Sequence, residues 1–248
     1  MHQLAFPMLI ALVAMALAFD FLNGLHDAAN SIATVVSTQL LSPMMAVAFA
    51  AVGNFLAYWI VGLHVAETVG SGIIDKDVVT PAVVFGALGG AMSWNVLTWL
   101  KGLPSSSSHA LIGGLLGAGI AHSGFGAVES AGTSKTMIAI VLSPMIGFAI
   151  AMLLMLLTSV LFQRTAPARA NSTFKGLHLV SSAAQSISHG GNDAQKTMGV
   201  IAVLLYSTGH IQGKFHVPEW VVLSCYAAMS LGTLSGGWRI IRTMGTRL

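Results

Sequence analysis

The sequence predicts an all-α, polytopic membrane protein built from inverted-topology repeats with broken transmembrane helices. Three observations lead there. The chain is 55% hydrophobic and only 8% charged, against about 25% charged in soluble domains. Apolar runs recur along its 248 residues at the length, about 20 residues, that crosses a hydrocarbon core as helix. Two of those runs are interrupted by polar motifs of one pattern, GLHDAAN at 24–30 and GGNDAQK at 190–196.

Reading apolar length against polar punctuation places seven crossings at 5–39, 43–63, 81–100, 105–121, 136–162, 176–206 and 217–237. The first is expected to break around Gly24 and the sixth around Gly190 and Gly191, because glycine lowers the cost of unwinding a helix. The N-terminal run is a spanning helix rather than a signal peptide, since no Lys or Arg precedes it. The fourth span is the shortest and opens with four serines, so a re-entrant half-helix is the alternative to a full crossing. The many glycines suit close helix packing.

Basic residues concentrate in short cytoplasmic loops. The segment 163–175 carries Arg164, Arg169 and Lys175 with no acid, and the tail after Trp238 carries Arg239, Arg242 and Arg247. Two crossings separate them, so both are expected in the cytoplasm. The acidic loop with Glu67, Asp75 and Asp77 then lies outside with the N-terminus.

Aligning Asp27 with Asp193 gives an offset of 166, and AVGNFLA at 51–57 resembles SLGTLSG at 230–236 at an offset of 179. A longer loop in the second copy accounts for the extra thirteen residues. Five crossings separate the two starts, so the copies enter the membrane from opposite sides, an architecture common among secondary transporters. The organisation read from this is a first repeat over 1–162, a cytoplasmic loop over 163–175 and a second repeat over 176–248. By the same offset a second proline–serine element belongs near residue 283, so 176–248 lacks that part of its repeat.

An ionised carboxylate in the hydrocarbon region costs about 2.5 kcal/mol or more and normally faces a cavity or a partner. Asn23, Asp27 and Asn30 share one helical face, as do His189, Asp193 and Lys196. Two carboxylates brought together by an inverted repeat repel unless a cation or proton lies between them. The alternative for Asp193 is a plain salt bridge to Lys196. Pro104 followed by Ser105, Ser106, Ser107 and Ser108 reads as a helix start whose amides and hydroxyls suit a phosphate-sized anion; the alternative is a polar cap on an ordinary helix. Among the histidines, His26 and His189 are candidates for proton handling. Trp94 and Trp99 fit an aromatic belt. The single Cys225 excludes a disulfide framework, and neither a basic nucleic-acid patch nor a nucleotide-binding glycine motif is present.

NGLHDAANSIATVV, GLPSSSSHALIGG and SHGGNDAQKTMGV, in that order, resemble the signatures of the inorganic phosphate transporter (PiT) family over essentially the whole chain. The resemblance implies a secondary carrier rather than an enzyme, taking up inorganic phosphate on a proton or sodium gradient with no other cofactor. It implies phosphate at Ser105, Ser106, Ser107, Ser108, Asp27, Asp193 and Lys196, and the coupling H+ or Na+ at Asn23, Asp27, Asn30, Asn192 and Asp193. His26, where other copies of the motif carry asparagine, resembles the low-affinity bacterial branch, often proton-coupled and able to carry divalent metal phosphate complexes. That branch implies a bacterial inner-membrane location and admits a homodimer in the bilayer. A carrier for sulfate or another oxyanion is the near alternative. An intramembrane hydrolase using Ser108, His109 and Asp27 is the distant one, because adjacent Ser108 and His109 on a helix point in different directions.

Overall fold

The computed structural model describes residues 6–62, 73–74, 78–211 and 214–236, and the side chain of Asn30 lies outside that description. Glu67, Asp75, Asp77 and the arginines of the C-terminal tail also fall outside it, and with them the outer-loop and tail expectations.

Seven α-helices make up the described architecture: α1 (Phe6–Ser37), α2 (Pro43–Ile60), α3 (Pro81–Lys101), α4 (Ser107–Ser123), α5 (Ser130–Phe162), α6 (Pro167–Ser207) and α7 (Glu219–Ser235). They correspond one to one with the seven expected spans. Their starts follow local chemistry. The Ser42 hydroxyl accepts from Met45 N and Thr80 from Val83 N, each followed by a proline in the first turn, where a missing N–H costs nothing. Gly102, with φ 65°, ends α3 in the left-handed conformation that glycine adopts without strain. The chain then runs non-helically through Pro104 until the Ser106 hydroxyl accepts from His109 N and starts α4. At about 25 Å long, α4 returns antiparallel to α3, with Gly114 against Ala87 and Gly86 against Ala118.

Two expectations are corrected. The polar stretch 163–175 is not a loop: α6 begins at Pro167, leaving only residues 163–166 as a turn. Proline at the first helical position starts the helix, and polar composition alone does not distinguish a helical extension from a loop. The second correction concerns the breaks. α1 and α6 run unbroken through Gly24 and through Gly190–Gly191. Those glycines serve close approach instead. A Cβ at Gly24 would lie 2.1 Å from the Met229 carbonyl oxygen, and one at Gly190 would lie 2.5 Å from Asn54 Cα.

These contacts are reciprocal. α1 meets α7 where Gly24 faces Met229 and Gly232 faces Phe21, and α6 meets α2 where Gly190 faces Asn54 and Gly53 faces Ser186. The largest core cluster, including Phe19, Leu88, Leu111, Met198, Leu204 and Tyr226, fills the space between α1, α3, α4, α6 and α7. A smaller one joins Ala29, Ile32 and Val35 of α1 to Ala46, Val47 and Ala50 of α2. By contrast α5, 33 residues long and predominantly apolar from Met137 onward, buries none of its residues; against lipid tails the exposure of its apolar side chains carries no penalty. α1, α2, α3 and α5 are each long and apolar enough to cross a membrane.

Candidate functional site

The non-helical turn before α4 faces the polar stripes of α1 and α6 across an open cavity of about 460 Å³ lined by Asp27, Pro104, Ser105, Ser106, Ser108, His189 and Asp193. Three segments distant in sequence therefore meet. Asp27 Oδ, Asp193 Oδ and a ring nitrogen of His189 all lie within 4.8 Å of one another. A wider groove of about 620 Å³ runs along the small residues of α3 and α4. It offers little polar chemistry.

On the α6 side, Lys196 Nζ donates to Asp193 Oδ1 at 2.6 Å and also to Ser108 Oγ. Ser108 Oγ itself lies 3.4 Å from Asp193 Oδ1. His189 Nδ1 is 3.6 Å from Asp193 Oδ2, and its buried Nε2 has no hydrogen-bond partner among the described residues. The salt bridge considered from the sequence is thus present, but inside the cavity wall and shared with a serine of the opposite element.

On the α1 side, His26 Nδ1 lies 3.5 Å from Asp27 Oδ1. Its Nε2 is 3.0 Å from Thr98 Oγ1 and 3.4 Å from Ser105 Oγ, and Ser105 donates to Thr98 at 3.1 Å. Whether Nε2 donates to or accepts from these hydroxyls follows the tautomer of the ring. His26 therefore braces Asp27 against α3 and the serine turn.

Not every expected residue reaches the cavity. Ser107 is fully buried with no hydrogen-bond partner for its hydroxyl among the described residues, because α4 begins at that residue and turns it into the core. Asn192 is exposed and donates to Ser188 at 3.4 Å. In a continuous helix consecutive residues point about 100° apart, so Asp193 facing inward sends Asn192 outward. Asn23 is buried one turn from Asp27, its carbonyl oxygen without a hydrogen-bond partner among the described residues. Asn30 lies on α1, its side chain outside the description. The serine–histidine hydrolase does not form: Ser108 is engaged by Lys196 and Asp193, while His109 lines the other groove.

Thr98 had no signal of its own, since a threonine in a long apolar helix is ordinarily bonded to its own backbone, as this one also is, to Trp94 O at 2.9 Å. A search for polar residues one turn apart near the end of α3, Asn95 and Thr98, is the pattern that finds it.

Residues 23–248 match the model of the phosphate transporter family, PHO4. The chain belongs to that family. A probable low-affinity inorganic phosphate transporter of Rhizobium meliloti (strain 1021) is 60% identical over 245 residues, covering 99% of this chain and 73% of the relative. A protein of the same description from Bacillus subtilis (strain 168) is 43% identical over 247 residues, 96% of this chain and 72% of the relative. A solved structure described as the sodium-dependent phosphate transporter superposes with a TM-score of 0.84 at 22% identity, over 98% of this chain and 79% of that one, a likeness of fold. The phosphate transporter family member described here is thus an all-helical, multi-pass membrane protein, and it is no enzyme.

Proposed function

We propose that the chain takes up inorganic phosphate as a secondary carrier in a bacterial inner membrane, coupled to a proton or sodium gradient. The observation that carries the reading is the meeting of Asp27 and Asp193 in one cavity with Ser105, Ser106 and Ser108, with Lys196 bonded to two of its lining residues, Asp193 and Ser108. The hydroxyls and the ammonium would donate to phosphate oxygens. The two carboxylates would repel the anion. Like charges about 5 Å apart repel by roughly 3 kcal/mol at an effective dielectric of about 20, so a cation or proton bound first makes anion binding favourable. That ordering is the coupling.

The inverted repeat is part of this proposal, and one pair supports it. Asn54 Nδ2 donates to Thr233 Oγ1 at 2.9 Å in the buried centre of the bundle. These two residues are 179 apart, the offset that aligns AVGNFLA with SLGTLSG. A residue meeting its own repeat-mate is what a two-fold axis between the copies requires. Rocking of one repeat against the other about that axis would give alternating access, with segment 163–166 on the cytoplasmic side.

A second reading of the cargo rests on Asp27, His189 and Asp193. Two carboxylates and an imidazole with an unpartnered nitrogen are a donor set for a divalent cation more than for sodium. Phosphate accompanied by a divalent metal would satisfy both the anion donors and this trio.

The test is uptake of labelled phosphate into proteoliposomes under an imposed pH or sodium gradient, with and without Mg²⁺ or Zn²⁺. Gradient-driven accumulation is expected, and Asp27→Asn is expected to lower it about 100-fold, which corresponds to roughly 2.7 kcal/mol. Uptake that never exceeds equilibration would remove the carrier reading. Equal competition by sulfate would replace phosphate with a broader oxyanion.

A further inference from the structure

Asp20 lies on α1, seven residues before Asp27 on the same helical face, about 10 Å deeper in the bundle by helix rise. It is fully buried. Its Oδ1 accepts a hydrogen bond from Thr197 Oγ1 of α6 at 2.5 Å, and its Oδ2 has no hydrogen-bond partner among the described residues. The thiol of Cys225 on α7 faces the same carboxyl, a weak donor and a weak acceptor. Asp20 forms no ion pair among the described residues. The charged groups acting on it at longer range are Asp193 and Lys196 of α6; none from α2, α3 or α4 is among them. An ionised carboxylate with one hydroxyl for company costs several kcal/mol in such a place. A neutral acid, its O–H turned to the Cys225 sulfur, costs far less.

Nothing in the two-carboxylate cavity needs this residue, and the repeat does not supply a second one. The residue 166 positions on is Ser186, whose hydroxyl donates to Ser182 O at 2.9 Å in an ordinary backbone bond. Asp20 is therefore an addition to one repeat only, set at the junction of α1, α6 and α7, which belong to different copies. The path to it is short. Thr197 stands one turn from Asp193 on the same face of α6, so the residue bonded to Asp20 is one helical turn from the Asp193–Lys196 pair at the cavity.

We propose that Asp20 is the proton-carrying group of this transporter, loaded and emptied through Thr197 as the cavity fills. The inference rests on the carrier reading above and names the coupling ion as H⁺. The step is a proton transfer without redox change: an O–H bond forms on the Asp20 carboxylate with a proton from the outer aqueous phase, and the same bond breaks as the proton leaves to the inner one. Phosphate drawing Lys196 away from Asp193 alters the field at Asp20, which ties the proton to the anion.

The experiment uses the full chain in proteoliposomes and compares phosphate–phosphate exchange, which moves no net proton, with accumulation driven by a pH gradient. In Asp20→Asn, exchange is expected to stay within about threefold of the parent while pH-driven accumulation falls at least tenfold. Proton-driven accumulation at the parent level in Asp20→Asn would overturn the proposal. So would loss of both activities in a variant that still elutes as a monodisperse species, because Asp20 would then be structural or part of the anion site. Should Asp20→Asn fail to fold, Thr197→Val keeps the test open: a displaced pH profile of accumulation with exchange preserved is expected, and an unmoved profile counts against the link. Absence of exchange in the parent itself would instead fail the carrier reading.

Discussion

The two polar motifs occupy equivalent places in two helices and handle their aspartates differently. In GGNDAQK the carboxylate of Asp193 has its own cation, Lys196 at 2.6 Å, which it shares with Ser108. In GLHDAAN no lysine or arginine is present, and Asp27 meets instead a histidine tied to Thr98 and Ser105. The α6 half of the cavity carries a lysine beside its aspartate, and the α1 half a histidine. Equivalent backbones thus carry unequal electrostatics, which is what a site binding an anion and a cation together requires.

The largest effect should come from breaking what the halves share. Gly24→Val or Gly190→Val places side-chain atoms where Met229 O and Asn54 Cα already lie within 2.1 and 2.5 Å of a bare Cβ. Both variants are expected to abolish the monodisperse peak in detergent gel filtration, since overpacking against backbone cannot relax. A well-folded Gly24→Val protein would mean that α1 and α7 are not in fixed contact.

Next, Lys196→Asn gives the second motif the residue that the first has at its matching position, Asn30. It removes the cation beside Asp193 and is expected to raise the KM for phosphate about tenfold or more, in line with roughly 1.5–3 kcal/mol for a charged hydrogen bond. If kcat falls and KM holds, the lysine moves with the cycle rather than binding the anion.

The reverse exchange, His26→Asn, should act more mildly. It cuts the brace to Thr98 and Ser105, so uptake is expected to fall about threefold to tenfold, consistent with a buried hydrogen bond of about 1 kcal/mol. Asn192→Ala should do least. The side chain is exposed, and uptake within about twofold of the parent is expected; a tenfold loss would bring Asn192 back toward the cavity in another state of the cycle.

The sequence carried the seven spans because hydrocarbon burial is a one-dimensional signal, read from apolar length without knowing any contact. It also carried Asp27, Asp193, Lys196 and the serine turn, since polar side chains in apolar runs stand out whatever surrounds them. Errors arose where one residue type serves two ends. Glycine permits both an unwound helix and a close helix crossing, and only the neighbouring carbonyl of Met229 at Gly24 decides for the second. The polar stretch after Pro167 fits both loop and aqueous helix.

What tertiary structure alone decided is which side chains share space. Ser107 and Ser108 are adjacent in sequence, yet one is sealed in the core and the other bonds to Lys196. Asn192 and Asp193 part in the same way. Asp20 stands in no motif of the sequence, and Thr197, 177 residues away, bonds to it at 2.5 Å. Composition and periodicity report how much a residue type favours lipid, water or helix, whereas the direction of a side chain depends on where each helix starts and what packs on it. The membrane protein and the unequal chemistry of its two motifs were legible in the sequence by itself; which of their side chains share one cavity came from packing.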